Sequence, residues 1–469
     1  MTHWFLYIVL ISMKLNQYNL DLAIKSENGY DQSPNHLHRN HQTFPFDLTP
    51  PKNFQSLSFD QLAPPVYVPI LLFYSPTDDL KNHRKRWSDH LKKSLSKTLA
   101  HFYPFAGQIR KDDAFTIDCN DRGATYVEAQ IEADMSDVVL NEPEINVLQR
   151  LLPCDPLEKF ADPSSRVILA VQVNYFACGG VAIGVCISHV IADASAAASF
   201  IKSWAKTASG VNDIDVNGVI YDCTSLFPPQ DSTELQQLME NKIKMGQANC
   251  VMKRFLFDGS KIAALRNKIS MEQKECFYRP TRVEAVSALI WGASMAMEKT
   301  GNIPMHVAVF PVNLRKIMNA VLPELCIGNI YQATMATSMM EKNVKHSSLA
   351  GKIHESIKRM KEEYVRKRGE YLNMMIRKSN TDEQKNGLEA VVSFAFSSWC
   401  RFPFYETDFG WGKPIWVGTA LRMNKLVILL DTSDGQGIEA WIGLTEEEMK
   451  KLEQDPEILA YASFRPSKG

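Results

Sequence analysis

The sequence predicts an α/β protein of two layered domains, and three observations carry that prediction. Strand-like and helix-like stretches mix irregularly in both halves of the chain, the pattern of sheets covered by helices. The 469 residues, 45% of them hydrophobic, suffice for two or three cores of ordinary size. Between Ser209 and Asn249 the composition shifts to Gly, Asn, Asp, Gln and Pro-Pro, in "VNDIDVNG" and "SLFPPQDS", as a connection between domains would. The predicted division is an atypical N-terminal extension over 1–42, a first domain over 43–208, a crossover linker over 209–249 and a second domain over 250–469.

The elements follow in order. "SLSFDQLAPPVYVPILLFYSP" (Ser56 to Pro76) reads as a turn around Pro64-Pro65 and then a buried strand. Trp87, Leu91, Leu95 and Leu99 recur at helical spacing, with Ser88 as N-cap, Pro104 and Gly107 as the stop, and the nearby lysines and arginines as a solvated face. "FTIDCND" and "GATYVEAQI" read as short strands across a turn. "RVILAVQVNYFACGGVAIGVCISH" alternates β-branched and polar residues, turns at Gly179-Gly180, and continues as an apolar and hence central strand. "ADASAAASFIKSWAKTA" is an alanine-rich helix.

In the second half, "VMKRFLFDGSKIAALRNKI" is a strand then a helix, and "TRVEAVSALIWGASMAME" is a helix. "MHVAVFPVNLR", "EAVVSFAFSSW", "KLVILLDTSD" and "GIEAWIGL" are strands, and His346 to Arg377 is a long charged helix. Thr445 and Glu448 form a capping box that starts a helix in "LTEEEMKKLEQD".

Composition narrows the function. Lys+Arg 52 against Asp+Glu 53 gives a net charge of -1, which argues against nucleic acid as the main partner. Nine scattered cysteines without a CxxC pair suit a reducing compartment. "WFLYIVLIS" (Trp4 to Ser12) is far shorter than the roughly 20 residues of a spanning helix and lacks a basic flank, so no membrane partner is expected. "NHLHRNH" (Asn35 to His41) has no Cys or carboxylate nearby and reads as a polar loop, with no metal expected. The G-x-S-x-G elbow, Walker A loop, HExxH and G-x-G-x-x-G are absent.

What remains is "CISHVIADASAAASF" (Cys186 to Phe200). His189 ends an apolar strand, where a side chain meets a crevice, and Asp193 opens the following helix. Taken alone, the two residues are equally a core histidine satisfied by a carbonyl and a helix N-cap. Some 220 residues on stands "SSWCRFPFYETDFGWGKP" (Ser397 to Pro414). The HxxxD string, "DFGWGKP" (Asp408 to Pro414) and the blocks "LSFDQLAPPVYVPILLFY", "LKKSLSKTLAHFYPFAGQIR", "VQVNYFACGG", "PTRVEAVSALIW" and "VNLRKIMNAVLPELCIGN" resemble the plant BAHD acyltransferases, in the family's order, from Thr49 to Phe464. The blocks around Pro65 and Thr281 are most similar to its vinorine synthase-like, acetylating branch.

The resemblance implies two similar chloramphenicol acetyltransferase-like domains of mixed sheets flanked by helices, enclosing a channel. It implies acyl-CoA, here acetyl-CoA, as co-substrate without any permanently bound cofactor, and a bulky alkaloid or terpenoid alcohol as acceptor. His189 is then the catalytic general base, while Asp193 turns from the channel to pair with Arg315 and fix the histidine loop. Ser397 and Trp399 are oxyanion-donor candidates, with packing in the domain interface as the alternative for Trp399. Asn329 approaches the active centre. Asp408, Gly410 and Gly412 give structural support on the CoA side, the glycines by permitting a backbone path closed to other residues. Thr281 and Arg282 are CoA-binding candidates or a plain helix end. Ala194 stands where many members have glycine. A cytosolic monomer is expected. The alternatives are a hydroxycinnamoyl, benzoyl or malonyl transferase, or a non-catalytic metabolite-binding protein of the same fold.

Overall fold

The structure, a computed structural model, describes residues 39–45, 52–113, 115–137, 143–158, 160, 162–210, 219, 223–224, 226–229, 250–272, 278–297, 305–318, 322, 325–339, 344–367 and 391–464. Two six-stranded mixed sheets dominate it. The first takes β1 (Arg39–Thr43), β3 (Tyr67–Tyr74), β6 (Ala124–Ile131), β7 (Leu169–Phe176), β8 (Val181–Ser188) and β13 (Trp416–Gly418), in the order β1-β6-β7-β8-β3-β13. The second takes β9 (Cys250–Phe257), β10 (Met305–Asn313), β11 (Tyr331–Met339), β12 (Val391–Ser398), β14 (Leu426–Asp431) and β15 (Ile438–Thr445), in the order β11-β10-β12-β14-β15-β9. A small sheet joins β2 (Lys52–Gln55), β4 (Gln108–Ile109) and β5 (Thr116–Cys119).

Helices α1 (Arg84–His101) and α2 (Ala194–Ala208) accompany the first sheet. Helices α3 (Gly259–Met271), α4 (Arg282–Met297) and α5 (His346–Lys367) accompany the second. The capping box is present: Thr445 Oγ1 accepts from Glu448 N, and Glu448 Oε2 from Thr445 N, at the start of α6 (Glu446–Leu452). The predicted linker and the end of the charged helix beyond Lys367 lie mostly outside the described residues, as does "WFLYIVLIS".

Several expectations are corrected. Arg39–Thr43, read as loop and extension, is an edge strand paired antiparallel with β6. Ser88 does not cap α1, which starts at Arg84; it lies buried inside the helix and donates to Glu128 Oε1 at 2.6 Å. β7 shows polar alternation yet is buried throughout. Its Gln172 and Asn174 side chains donate to the carbonyls of Arg150 and Leu151, so its polar positions are covered by a chain segment that satisfies them.

The two domains share a seam. On β12, Phe394 and Phe396 enter the second core, while Trp399 just beyond it joins the first core together with Ile428, Leu430 and Trp441. β13 follows "DFGWGKP" in sequence but pairs with β3 of the first sheet, register Trp416↔Phe73. The second half of the chain therefore supplies part of the first domain's wall.

β8, which ends at the histidine, tolerates little. A Cβ on Gly184 would sit 2.2 Å from the Leu151 carbonyl oxygen. Gly184→Ala is expected to lower stability by about 2 kcal/mol or more, read as a fall in melting temperature; an unchanged melt would refute the close approach.

Candidate active site

β8 is apolar and buried at all eight positions, which carries the chain through the sheet and delivers His189 just past its end. The loop is pinned by its backbone: Ser188 N donates to Ile168 O and His189 N to Val66 O, each at 2.8 Å. The imidazole is half-buried. Its Nδ1 is buried without a hydrogen-bond partner among the described residues, which leaves Nε2 for a substrate. Burial lowers its pKa below the ordinary 6.5, against the opposing pull of its own backbone, the Asp193 charge and Asn329. The ring is therefore neutral, and basic, at pH 7.

Asp193 caps α2, its Oδ1 accepting from Ala196 N at 2.8 Å. Its Oδ2 accepts from Arg315 Nη1 at 2.8 Å and from Ile330 N at 2.9 Å. The cap and the ion pair coexist on one carboxylate. The pair uses a single N–H, while Nε and Nη2 of the guanidinium are engaged elsewhere. Arg315 Nη2 donates to Cys326 O and Gly328 O, both at 2.9 Å, and Nε donates to Cys326 O at 3.2 Å. Arg315 thus binds the 325–330 loop of the second domain to the histidine loop of the first, reinforced by a parallel bridge between Ala192 and Gly328.

Asn329 closes the clasp. Its Nδ2 donates to His189 O at 2.6 Å. Its backbone N and Nδ2 also donate to Asp60 Oδ1, at 2.6 and 2.8 Å. Asp60, from the short helix Ser58–Gln61, accepts from Leu57 N as well, at 2.7 Å. Burial raises the Asp60 carboxyl to about 7, against these donors, with the Asp193 charge adding to the rise. Tyr331, at the start of β11, places its ring 6.2 Å from that of His189.

On β12, Ser397 pairs in register with Ile428 and so lies on the sheet face turned to the first domain. The Trp399 indole N–H donates to Ser397 Oγ at 3.1 Å. That bond orients the serine hydroxyl and leaves its proton free for another acceptor. Beside the clasp lies a cavity of about 370 Å³, lined by Ser195, Asn313 and Arg315 and by the cations Lys202, Lys206, Lys316 and Arg401. Lys202 is neutralised by Glu406; Lys206, Lys316 and Arg401 are exposed.

A protein-family model described as the Transferase family matches residues 38–459. Epi-neemfruitin B synthase of Melia azedarach is 45% identical over 420 residues, covering 87% of this chain and 93% of that one. Vinorine synthase of Rauvolfia serpentina is 36% identical over 407 residues, covering 86% and 91%. The chain belongs to the BAHD acyltransferases. The crystal structure of vinorine synthase matches with a TM-score of 0.74 at 33% identity, over 91% of this chain and 98% of that one. F. graminearum TRI101, solved with coenzyme A and T-2 mycotoxin, shares the fold at a TM-score of 0.69 and 18% identity, over 88% and 99%.

In this BAHD acyltransferase, "DFGWG" stands against the helix that follows the histidine loop. Asp408 Oδ1 accepts from Gly410 N and Gly412 N, and both glycines have φ above +100°, at +106° and +111°. Phe409 packs on Trp204 of α2 and Trp411 on Trp87 of α1, with ring centroids 4.8 and 4.9 Å apart. The loop props α2, whose first turn holds Asp193.

Thr281 and Arg282 are engaged inside the second domain. Thr281 and Glu284 cap α4 reciprocally. Arg282 donates to the carbonyls of Gly435, Gln436 and Gly437 and to Asp431 Oδ1. Asp431 Oδ2 in turn accepts from Arg401 N at 2.6 Å, where Arg401 holds a left-handed φ of +67°. Arg282 therefore reaches the cavity through Asp431, by fixing the strained turn that presents Arg401.

Asp60, Tyr331 and the cavity cations are the residues that the motifs do not disclose. Asp60 stands in the quoted "LSFDQL", but its helix is four residues long and its partner is 269 positions away.

The Asp60 carboxyl gives a test. Its pKa is raised on folding from 3.8 to about 7, so the folded state holds that proton more tightly than the unfolded chain. The resulting stabilisation is full below about pH 4 and is lost as pH rises through about 7. Asp60→Asn has no such ionisation. The melting-temperature difference, wild type minus Asp60→Asn, is expected to shrink over that interval; a constant difference would contradict the assignment.

Proposed function

We propose that the enzyme transfers the acetyl group of acetyl-CoA to a hydroxyl of a bulky, apolar polycyclic plant alcohol of the limonoid or alkaloid kind, as a cytosolic monomer. Limonoid 21-O-acetyltransferase of Melia azedarach, 42% identical, and stemmadenine O-acetyltransferase of Catharanthus roseus, 36% identical, carry names of that chemistry. No described helix is long and apolar enough to cross a membrane. The observation that carries the mechanism is the His189 imidazole, neutral, sealed at Nδ1 and clamped from two domains.

The acceptor O–H gives its proton to His189 Nε2 as its oxygen attacks the thioester carbonyl. The C–O bond forms and the carbonyl oxygen becomes an oxyanion, which the Ser397 hydroxyl, oriented by Trp399, is placed to receive. Collapse breaks the C–S bond. The CoA thiolate takes the proton from the His189 imidazolium and leaves as the thiol. A thioester is already activated, so direct transfer needs no acyl-enzyme. Asp193 takes no proton in this scheme, because its carboxylate is occupied by Ala196 N, Arg315 and Ile330 N. The cationic cavity suits the phosphates of the CoA, with Lys206, Lys316 and Arg401 at its exposed rim. The acceptor then arrives from the opposite face.

His189→Ala is expected to reduce kcat by about 10²–10⁴ while the melt is retained. A variant keeping more than about a tenth of the rate, measured as thiol release from acetyl-CoA with a limonoid or indole alcohol, would refute the base assignment. Ser397→Ala is expected to lower kcat by about 10–100-fold with little change in KM, as an oxyanion donor would. Arg401→Glu is expected to raise the KM for acetyl-CoA and leave that for the alcohol unchanged. The reverse pattern would move the CoA site elsewhere.

A further inference from the structure

The Sγ atoms of Cys223 and Cys326 lie 2.9 Å apart. That is within ~1 Å of a disulfide bond length. Both residues are buried, at 2% and 1% exposure, and neither is in a disulfide. Among the described residues no group of three His, Cys, Asp or Glu side chains is placed to hold a metal.

The location gives the contact its interest. Cys223 opens a turn of the crossover segment: its carbonyl accepts from Leu226 N and Phe227 N, and Phe227 packs on Phe59 with ring centroids 5.1 Å apart. Ser58 N donates to Phe227 O, so this turn is bound to the helix that carries Asp60. Cys326 belongs to the clasp. Its carbonyl receives two N–H groups of Arg315, and three residues later Asn329 holds the His189 carbonyl. The Cys326 thiol is drawn below its ordinary value by its hydrogen bond with Cys223, then by the Arg315 charge, against burial and the Asp193 carboxylate.

We propose that Cys223 and Cys326 form an oxidant-sensitive dithiol that closes to a disulfide under a hydroperoxide and so throttles acyl transfer. The Cys326 thiolate attacks one peroxide oxygen, the O–O bond breaks, and with one proton a sulfenic acid and water are formed. The Cys223 thiol then attacks the sulfenic sulfur; the S–S bond forms as the S–O bond breaks and a second water leaves. Two thiols are oxidised and one hydrogen peroxide is reduced to two waters. Drawing the sulfurs to bonding distance pulls the 325–330 loop toward the crossover segment. The positions of Asn329 and of the carbonyls on Arg315 shift with it, and so does the His189 loop. The bond also links residues 103 positions apart, which restrains the unfolded chain.

The activity effect rests on the acyl-transfer reading; the bond itself does not. Full-length enzyme is treated with hydrogen peroxide, digested under non-reducing conditions and mapped by mass spectrometry, with turnover and melting measured on the same samples. The expected result is a peptide pair joined at Cys223 and Cys326, a melting temperature higher by several degrees, and kcat lower by about tenfold or more, all reversed by dithiothreitol. Cys223→Ser and Cys223→Ala are expected to keep the basal kcat and to resist peroxide. Absence of the joined peptide while other cysteines oxidise overturns the proposal, whatever the substrate proves to be. Equal inhibition of the wild type and both variants, or a joined peptide without loss of rate, overturns the regulatory role.

Discussion

The buried ion pair between Asp193 and Arg315 is the contact on which the geometry of the His189 loop depends. Desolvating two charges is unfavourable, and an ion pair repays it only where every remaining donor and acceptor is satisfied. That condition is met here to an unusual degree. Asp193 also caps α2 and receives the Ile330 amide, while Arg315 spends its other N–H groups on the carbonyls of Cys326 and Gly328. Removing either partner strands a buried charge, at about 3–5 kcal/mol in comparable cases. In the proposed mechanism the aspartate of the HxxxD string is a positioning residue: it ties the end of a strand in one domain to a loop of the other, and the histidine stands on the tie.

The same division of labour runs through the rest of the site. In the proposed mechanism the proton-transfer group follows a strand of the first sheet and the oxyanion donor lies on the second, so neither domain holds a complete set. The seam makes this workable. One face of the second sheet builds its own core, and the other contributes Ile428, Leu430 and Trp441 to the first core, so Ser397 is carried on a rigid shared wall. β13 and the aromatic packing of Phe409 and Trp411 against α1 and α2 bind the halves again from outside the reacting centre. The "DFGWG" segment thereby earns a structural meaning: it steadies the helix whose N-terminus is capped by Asp193.

The two acids of the clasp differ in their partners. Asp193 faces a guanidinium. Asp60 faces only neutral N–H groups, and burial lifts its carboxyl to about 7. That carboxyl stands one hydrogen bond from Asn329, and hence two from the His189 backbone. Cys326, in the same loop as Asn329, is a thiol of the proposed oxidation.

Periodicity and turn chemistry determined most of the local structure. The apolar run before His189, the alanine-rich helix after Asp193, the Thr445 capping box and the glycines at 410 and 412 each depend on neighbours a few residues away, and each is legible as written. The family resemblance pointed to His189, Asp193, Arg315 and Asn329. What the chain could not announce was anything set by contact between distant segments. Ser88 reads as a cap because its burial against Glu128 is a tertiary event. The burial of Gln172 and Asn174 is not written in their strand, because the segment that covers them lies over 20 residues upstream. Asp60 is one carboxylate among many until Asn329, 269 positions on, arrives beside it. Local propensity acts through near neighbours, whereas the environment of a buried polar group is fixed only when the chain closes on itself, and that closure decided which of these side chains became an active site.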